Sequence, residues 1–378
     1  MATTFVLGCD QGKQHDTRTV GPYIQLQGMN FGPGTPIRQD GVIQLTLSRL
    51  LDPVTVVRQS VVIRTKSGNL AAEPVVTYDP VALTVTLSNP AAADGGSLDW
   101  LTDPFYDVVL GIPSPGATSG GFRALDGQTL DPSKPLLFEL ATTAPPATTD
   151  AGAGAGDAQA DAGAGDAQAG AETGAQAAGT SFPPPRLSFC DDILPLFQNS
   201  CTSGACHAPP QPDGTFPPAT GLVLSTALGI QQTARGRAAE GANTGGRASA
   251  ASEGTAFGVN MPIIDADGVS AGSPGNSWLM YKLLLATPTV LGPGMVDVQG
   301  SCNVAPTDVG FASVASLSAT ERAVLSNYIL GQEMPYPPVP GGATNSAALT
   351  MNQLERIRIW IAQGASVPPD YCTTCSTP

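Results

Sequence analysis

The chain contains few histidines, few cations and no long apolar run. Only His15 and His207 carry imidazoles among 378 residues, so a site in the second half of the chain has at most one. Lysine and arginine number 17 against 31 aspartates and glutamates, which gives a formal net charge of −14. Such a chain repels nucleic-acid phosphates, and a nucleic-acid partner is not expected. Because no stretch of about twenty apolar residues occurs, membrane contact is expected only through an attached lipid.

Signatures of several enzyme classes are missing as well. No Gly-rich phosphate loop precedes a helix, and no His-Glu-x-x-His metal motif occurs. A peroxidase would need a histidine or a comparable group beyond the one that holds its cofactor, and His15 lies in the far N-terminal segment. Glycine (44 residues) and proline (35 residues) are abundant, which predicts many turns and at least one unstructured segment.

An apolar run that ends in a cysteine stands near the start of the chain. Phe5-Val6-Leu7-Gly8-Cys9 resembles the lipobox at which a bacterial lipoprotein precursor is cut and its cysteine acylated. Residues 1–21 are therefore predicted to be a lipoprotein-type segment, with Cys9 as the lipidation site. The apolar stretch is shorter than a working signal peptide, so we expect the chain to begin late or to have lost an upstream portion. The alternative is an accidental N-terminal cysteine.

Residues 22–140 carry short β-rich runs separated by Gly, Pro, Asn and Asp. Several runs alternate apolar and polar residues, as half-buried strands do. The predicted strands are Tyr23–Leu26, Val42–Leu47, Val61–Arg64, Val75–Tyr78, Leu83–Leu87, Tyr106–Leu110 and Leu136–Leu140. Seven short strands in about 120 residues predict an antiparallel sandwich. The pattern, with Val75–Leu87 as a hairpin, resembles bacterial Ig-like modules of surface and S-layer proteins, which implies an all-β Ig-like sandwich.

The composition collapses to Ala, Gly, Asp, Gln, Thr and Pro between residues 141 and 185. Gly-Asp-Ala-Gln-Ala occurs at Gly156–Ala160 and again at Gly165–Ala169. Such a segment cannot bury a core, so we predict a disordered, acidic linker between two folded domains. A flexible tether would let the C-terminal domain, residues 186–378, search for partners.

Capping signals predict three helices in residues 186–378. The predicted caps are Asp191 and Asp192 for the first helix, Ser318 with Glu321 for the second, and Thr350 with Gln353 for the third. The second helix is expected to end at Gly331 and the third at Gly364. The first helix runs directly into Cys201, which links it to the most informative motif of the chain.

That motif is Cys201-Thr202-Ser203-Gly204-Ala205-Cys206-His207, two thiols followed at once by an imidazole. In c-type haem attachment, two cysteines form thioethers to the haem vinyl groups and the adjacent histidine ligates the iron. Four residues separate the cysteines here, where two are usual. The alternative is a disulfide between Cys201 and Cys206, with His207 as an ordinary surface residue.

A second axial ligand would have to be methionine or a weaker group, because the domain holds one histidine. The methionines of the domain are Met261, Met280, Met295, Met334 and Met351. Met334 lies in the Pro-rich loop Gln332–Pro338, which can present a sulfur without helical constraint. Met334 is the predicted ligand and Met261 the next candidate, whereas a space-filling core methionine is the alternative for Met334.

The order of elements resembles that of the cytochrome c family, in particular the large variants of planctomycetes and myxobacteria. The elements are Asp192–Phe197, the Cys-His motif, Asn276–Leu283, Met334–Pro335 and Leu354–Ala365. The resemblance implies a mainly α domain with one covalently bound haem c. By that resemblance His207 is the proximal ligand, Cys201 and Cys206 are the thioether donors, and Met334 is the distal ligand.

Four further cysteines are Cys190, Cys302, Cys372 and Cys375. An even number suits two disulfides in an oxidising compartment, and the sequence leaves three pairings open. A zinc site is not expected, because no second Cys-x-x-Cys accompanies Cys372 and Cys375.

These features predict a multidomain protein of the bacterial cell envelope, periplasmic or on the outer surface. We expect an exported, lipid-anchored electron-transfer protein that exchanges electrons with redox partner proteins and is not an enzyme. The alternative is a haem-free envelope lipoprotein, stapled by three disulfides, with a role in adhesion or surface assembly.

Overall fold

The structure is a computed structural model. It describes residues 20–70, 73–89, 100–114, 120–144, 187–202, 207–208, 221–240, 243–247, 261–266, 272–290, 317–329, 333–335, 348–368 and 372. Several predicted features lie outside the described residues: the N-terminal segment with Cys9, nearly all of the linker, Cys206, Cys302 and Cys375.

The described part of the N-terminal region contains eight strands. They are β1 (Leu26–Met29), β2 (Ile37–Arg38), β3 (Ile43–Leu47), β4 (Val61–Thr65), β5 (Val75–Asp79), β6 (Thr84–Ser88), β7 (Phe105–Leu110) and β8 (Leu137–Thr143). One four-stranded sheet has the order β1-β3-β6-β5, and the other has the order β2-β8-β7-β4. Strand β2 pairs with β8 in parallel, and the other neighbours are antiparallel.

The two sheets share one apolar core. Buried residues alternate along β3 and along β7, which belong to different sheets, and both sets join the same cluster. They are Ile43, Leu45, Leu47, Tyr106, Val108 and Leu110. Alternation places these side chains on one face of each sheet, and the two faces pack together. The predicted β-rich N-terminal region is therefore confirmed as a two-sheet sandwich.

Most predicted strands coincide with observed ones, and the Val75–Leu87 hairpin is confirmed by the antiparallel pairing of β5 with β6. The prediction Tyr23–Leu26 is wrong, because β1 begins at Leu26 and Ile24 makes an isolated bridge to Leu130. Strand β8 continues past residue 140 to Thr143. The two-residue strand β2 was not predicted, since so short a run carries no alternation.

The described part of the C-terminal region contains five helices and a hairpin. The helices are α1 (Leu194–Cys201), α2 (Ala227–Thr233), α3 (Trp278–Leu285), α4 (Ala319–Ser326) and α5 (Met351–Ala362). The hairpin joins β9 (Arg237–Glu240) to β10 (Asn243–Arg247). A π-helical turn, Phe189–Ile193, leads directly into α1.

The predicted capping box of α5 is present. Thr350 Oγ1 accepts a hydrogen bond from the Gln353 N–H at 3.1 Å, and Gln353 Oε1 accepts one from the Thr350 N–H at 3.0 Å. Gly364 follows the helix with φ +92°, a left-handed conformation that suits glycine and ends the helix as predicted.

Two other helix predictions were wrong in part. Helical geometry begins at Phe189, so Ser188 is the cap and Asp191 and Asp192 lie in the first turn. Carboxylates there interact favourably with the positive end of the helix dipole. Helix α4 is capped by Ser318 as predicted, but it ends at Ser326, well before Gly331.

The C-terminal core is built around Trp360 of α5. Its indole lies 5.7 Å from the ring of Phe189 and 6.0 Å from that of Phe197, measured between centroids. These contacts hold α5 against the π-helical turn and the middle of α1, and the burial of Trp360 agrees with its expected core role. A disulfide joins Cys190 to Cys372.

The two domains pack against each other. Leu50, Val81 and Leu125 of the sandwich belong to the apolar cluster of the C-terminal domain. Arg49 pairs with Glu321 of α4 at 3.0 Å, and Asp79 pairs with Arg358 of α5 at 3.0 Å. Apolar contacts and ion pairs that the linker composition does not reveal therefore join the two domains in this structure, and the predicted tether lies almost wholly outside the described residues.

Candidate haem site

Helix α1 presents Cys201 at its C-terminal end. Leu194, Phe197 and Cys201 follow one another at intervals of three and four residues, so they share one face of the helix, and all three are buried. Cys201 is a free thiol. Burial in this apolar surrounding raises its pKa to about 12, which keeps the thiol protonated and unreactive at neutral pH.

His207 is held beside Cys201 by the backbone. Its N–H donates to the Cys201 carbonyl oxygen at 3.2 Å, and its own carbonyl accepts a hydrogen bond from the Leu224 N–H at 2.9 Å. The imidazole is buried, with 6% of the residue exposed. The alternative prediction, an ordinary surface histidine, is therefore wrong, because the segment around Leu224 covers the residue.

The ring of His207 has a defined orientation. Its Nδ1 lies 3.3 Å from the Leu222 carbonyl oxygen. A carbonyl can only accept a hydrogen bond, so the His207 Nδ1 is the donor in this contact. Histidines that ligate metals in proteins commonly donate their second ring N–H to such a carbonyl, which fixes tautomer and orientation. The contact with the Leu222 carbonyl therefore fixes the orientation of the His207 ring.

Helix α2 fixes the segment that holds His207. Thr233 Oγ1 accepts a hydrogen bond from the Val223 N–H at 2.9 Å. Gly229 lies directly beneath Val223, where an added Cβ would come within 2.4 Å of the valine Cγ1. The absence of a side chain at Gly229 therefore lets α2 approach the segment from Leu222 to Leu224. Sequence reasoning missed this requirement, although an isolated glycine inside a helix was available as a signal.

The candidate methionines lie on the same apolar core as Cys201. Met334 is half-buried against the C-terminal cluster, and its N–H donates to the Lys282 carbonyl oxygen at 3.3 Å. Met261 is buried in that cluster, and its carbonyl accepts a hydrogen bond from the Ala239 N–H at 2.8 Å. The structure thus brings Cys201 and His207 together and places both methionines around their core.

Arg235 adds an unsatisfied cationic donor. It follows α2 by two residues, and its buried Nε has no hydrogen-bond partner. Its Nη2 donates to the Gly364 carbonyl oxygen at 3.4 Å. A guanidinium group of this kind is complementary to a carboxylate, and haem carries two carboxylates. The guanidinium of Arg235, the imidazole of His207 and the thiol of Cys201 are the types of group that bind the carboxylates, the iron and the vinyl groups of a haem.

The part of the chain that the structure describes contains no cluster of side chains suited to bind a metal ion. No three His, Cys, Asp or Glu residues there lie close enough together to hold a metal ion. Of the four predicted disulfide candidates, Cys190 and Cys372 are joined. Cys206 lies outside the described residues, so the alternative disulfide between Cys201 and Cys206 stays a prediction.

Comparisons with known proteins give little information. No protein-family model matches the chain, and no curated protein matches it. Three solved structures of the bacterial S-layer protein SbsC, including its N-terminal part and its domains 1–6, match with 16% identity over 32% of this chain and a TM-score of 0.22. The chain covers only 14% to 24% of their length, and a TM-score this low supports no conclusion about fold or function.

The α-helices of the described residues are 7 to 12 residues long. None of the helices there has both the length and the apolar character needed to cross a bilayer.

Proposed function

We propose that the protein is an exported electron-transfer protein with one covalently bound haem c in its C-terminal domain. Cys201 and Cys206 are the proposed thioether donors, and His207 is the proposed proximal ligand. The observation that carries this proposal is the geometry of His207, whose backbone bonds to Cys201 while its Nδ1 faces the Leu222 carbonyl. The motif requires an iron ligand and a thioether donor. A histidine held in this way would supply the first, and the free thiol beside it would supply the second.

Each residue of the site has a defined task in this proposal. The Leu222 carbonyl orients the imidazole and strengthens Nε2 as a donor to iron. The apolar surroundings of Cys201 exclude water from the cofactor face. Arg235 would pair with a haem carboxylate through its unsatisfied Nε. A haem held there would supply reversible one-electron oxidation of its iron, so the protein would carry electrons and not transform a substrate.

Met334 is the proposed distal ligand. Its loop is attached to the end of α3 through the Lys282 carbonyl, while the methionine itself stays half-buried on the core. Met261 is more constrained, because its backbone is bonded to β9 and its side chain is fully packed. A half-buried thioether on a loop can turn toward a new ligand site at smaller packing cost, which favours Met334.

The N-terminal sandwich is proposed to be an Ig-like module of a lipid-anchored envelope protein. Its first sheet follows the immunoglobulin order A-B-E-D and its second follows G-F-C, with β2 added at the edge. Tyr106 near the start of the F-equivalent strand β7 accepts a hydrogen bond from the Asp103 N–H at 2.7 Å, as in a tyrosine corner. In this proposal Cys9 carries the lipid anchor, and the protein exchanges electrons with redox partner proteins of the cell envelope.

An absorbance spectrum tests the haem assignment. Full-length protein made in a host competent for cytochrome c maturation should show a Soret band and a mass increase of one haem. The variant Cys201→Ser should lose covalent attachment at that position, and His207→Ala should lose low-spin character. Met334→Ala should change spectrum and potential, whereas Met261→Ala should not. A chain without a Soret band and with unmodified mass would instead support the haem-free envelope lipoprotein.

A further inference from the structure

Three side chains of the sandwich complete the core of the C-terminal domain. Leu50 follows β3, Val81 lies at the tip of the β5–β6 hairpin, and Leu125 lies in the turn before β8. They are 0%, 4% and 6% exposed, and all three belong to the C-terminal apolar cluster. Together with Arg49 and Asp79 they are named the latch. Removing the sandwich would expose one side of this cluster to water.

Charged groups of the latch can separate without breaking either domain. Arg49 lies between Asp126 of its own domain, at 2.8 Å, and Glu321 of α4, at 3.0 Å. Glu321 Oε1 also accepts a hydrogen bond from the Leu50 N–H at 3.2 Å. If the sandwich lifts off, Arg49 keeps Asp126 as its partner while water solvates Glu321. The latch can therefore open while the sandwich stays folded.

A continuous set of contacts leads from the latch to Cys201. Asp79 pairs with Arg358 on α5, and Trp360 two residues later contacts Phe197 on α1. Cys201 lies one helical turn beyond Phe197 and is buried in the same cluster that Leu50, Val81 and Leu125 complete. Because α1 is held through α5, loosening α5 removes the support of the helix end that carries Cys201.

We propose that the latch controls access to Cys201, whose thiol reacts with external reagents only after the sandwich undocks. The latch itself does not depend on haem; its role in haem attachment rests on the proposed function. In haem attachment the Cys201 thiol would add across a vinyl double bond, with the sulfur bonding to one carbon and the thiol proton to the other, so no oxidant would be required. The Cys201 thiol is inaccessible while the sandwich is docked and becomes accessible when the sandwich undocks.

Thiol labelling tests the latch. Full-length protein made without haem is treated with iodoacetamide, and alkylation of the peptide containing Cys201 is followed by mass spectrometry. Val81→Ala and Leu125→Ala should each accelerate alkylation about tenfold, since a loss of about 1.4 kcal/mol of docking multiplies opening by ten. Val75→Ala, on the exposed part of the same hairpin, and Lys66→Met, in an exposed ion cluster of the sandwich, are the matched controls and should react at the wild-type rate. Latch variants that also react at the wild-type rate would overturn the proposal.

If a variant fails to fold, a measurement on the wild-type chain tests whether undocking exposes Cys201. The alkylation rate at Cys201 is followed in urea below the unfolding transition. Undocking exposes the interface alone, so the rate should rise with a slope smaller than that of global unfolding but clearly above zero. A rate independent of urea would mean local fraying at the end of α1, and a slope equal to that of global unfolding would mean that Cys201 is exposed only when the whole protein unfolds. Either result contradicts the latch.

Discussion

Glu321 Oε2 lies 3.0 Å from Arg49 Nε, so a carboxylate at the start of helix α4 is paired with a cation of the other domain. The side chains of Arg49 and Glu321 are 2% and 6% exposed, which removes the pair from solvent screening. Glu321 was predicted to return a hydrogen bond to its own cap, Ser318. The cap itself forms, since Ser318 Oγ accepts a hydrogen bond from the Glu321 N–H, but the carboxylate is directed across the domain interface.

The variant Arg49→Met should destabilise the protein strongly. Asp126 and Glu321 would remain buried without their cation, and breaking a buried ion pair in this way costs about 3–5 kcal/mol. Chemical denaturation would measure the change in the free energy of unfolding. Lys66→Met removes a cation from an exposed cluster with Asp107 and Glu139 and should cost about 0–1 kcal/mol. Equal effects of the two substitutions would contradict the importance assigned to the buried pair.

Interdomain docking should depend on pH in a defined direction. Burial raises the pKa of Glu321 above 4.5 and outweighs the ion pair with Arg49, so the docked state binds a proton more readily than the undocked state. Docking stability contributed by Glu321 should therefore increase as pH falls from neutral toward 4.5. Asp126, which pairs with Arg49 inside the sandwich, affects the overall stability in the opposite direction, because hydrogen bonds from Arg49 and from the Gly21 and Gln128 N–H groups outweigh its burial and lower its pKa below 3.8. Its contribution is present above pH 3.8 and is lost in stronger acid.

This pH dependence can be measured as urea stability between pH 7 and pH 3. We expect a maximum near pH 4 to 5 from these two groups. The buried Tyr78 keeps its proton throughout, because burial raises its pKa far above that range. In Glu321→Gln the rise in stability between pH 7 and pH 5 should shrink, and an unchanged rise would show that Glu321 is not its source.

The substitution Gly229→Ala should disturb the histidine site. The added Cβ would lie 2.4 Å from Val223 Cγ1, so either α2 or the segment from Leu222 to Leu224 must move. Because Leu222 orients His207, we expect lower stability of the haem-free chain and a loss of low-spin signal in the haem-loaded chain. Leu228→Ala changes an exposed neighbour in the same helix and is the control. Spectra indistinguishable between Gly229→Ala and wild type would refute this role of the segment.

Replacement of Arg235 by glutamine should lower the reduction potential of the haem-loaded protein. A cation near the haem carboxylates disfavours the additional positive charge of oxidised iron, and its removal favours the oxidised state. Arg237→Gln is the control, since the Nε of Arg237 donates to the Gln232 carbonyl oxygen at the surface. Redox titration would compare the two variants. Equal potentials in both, together with lower thermal stability of Arg235→Gln, would indicate a purely structural role for Arg235.

Local features were predictable from the sequence where the residues that determine them lie within a few positions of one another. Alternating residues of β3 and β7 report their buried face because side chains in a strand alternate sides. Thr350 and Gln353 predicted the start of α5 because both halves of a capping box lie within four residues. The motif at Cys201 likewise identified the neighbourhood of His207, because only five positions separate the two residues in the chain.

The remaining features depend on residues that are distant in the chain. The composition from residue 141 to residue 185 predicted independent domains, yet Arg49 and Glu321 meet across 272 positions of sequence. The partner of Cys190 is 182 residues away, which is why three pairings stayed open until the structure placed Cys372 beside it. The partner of the Glu321 carboxylate could not be predicted from helix α4 alone. The carboxylate can accept a hydrogen bond from the helix cap or pair with a distant cation, and the helix sequence does not distinguish the two.

The sequence by itself determined the strands and capped helices and the adjacency of thiols and imidazole, because these follow from periodicities and contacts within a few residues. Only the tertiary structure decided that His207 is buried with its Nδ1 toward Leu222, that the Nε of Arg235 lacks a hydrogen-bond partner, and that the sandwich closes the core around Cys201. Those outcomes depend on which distant surfaces exclude water from each other, and neither burial nor the pairing of buried charges is encoded in any short segment of the chain.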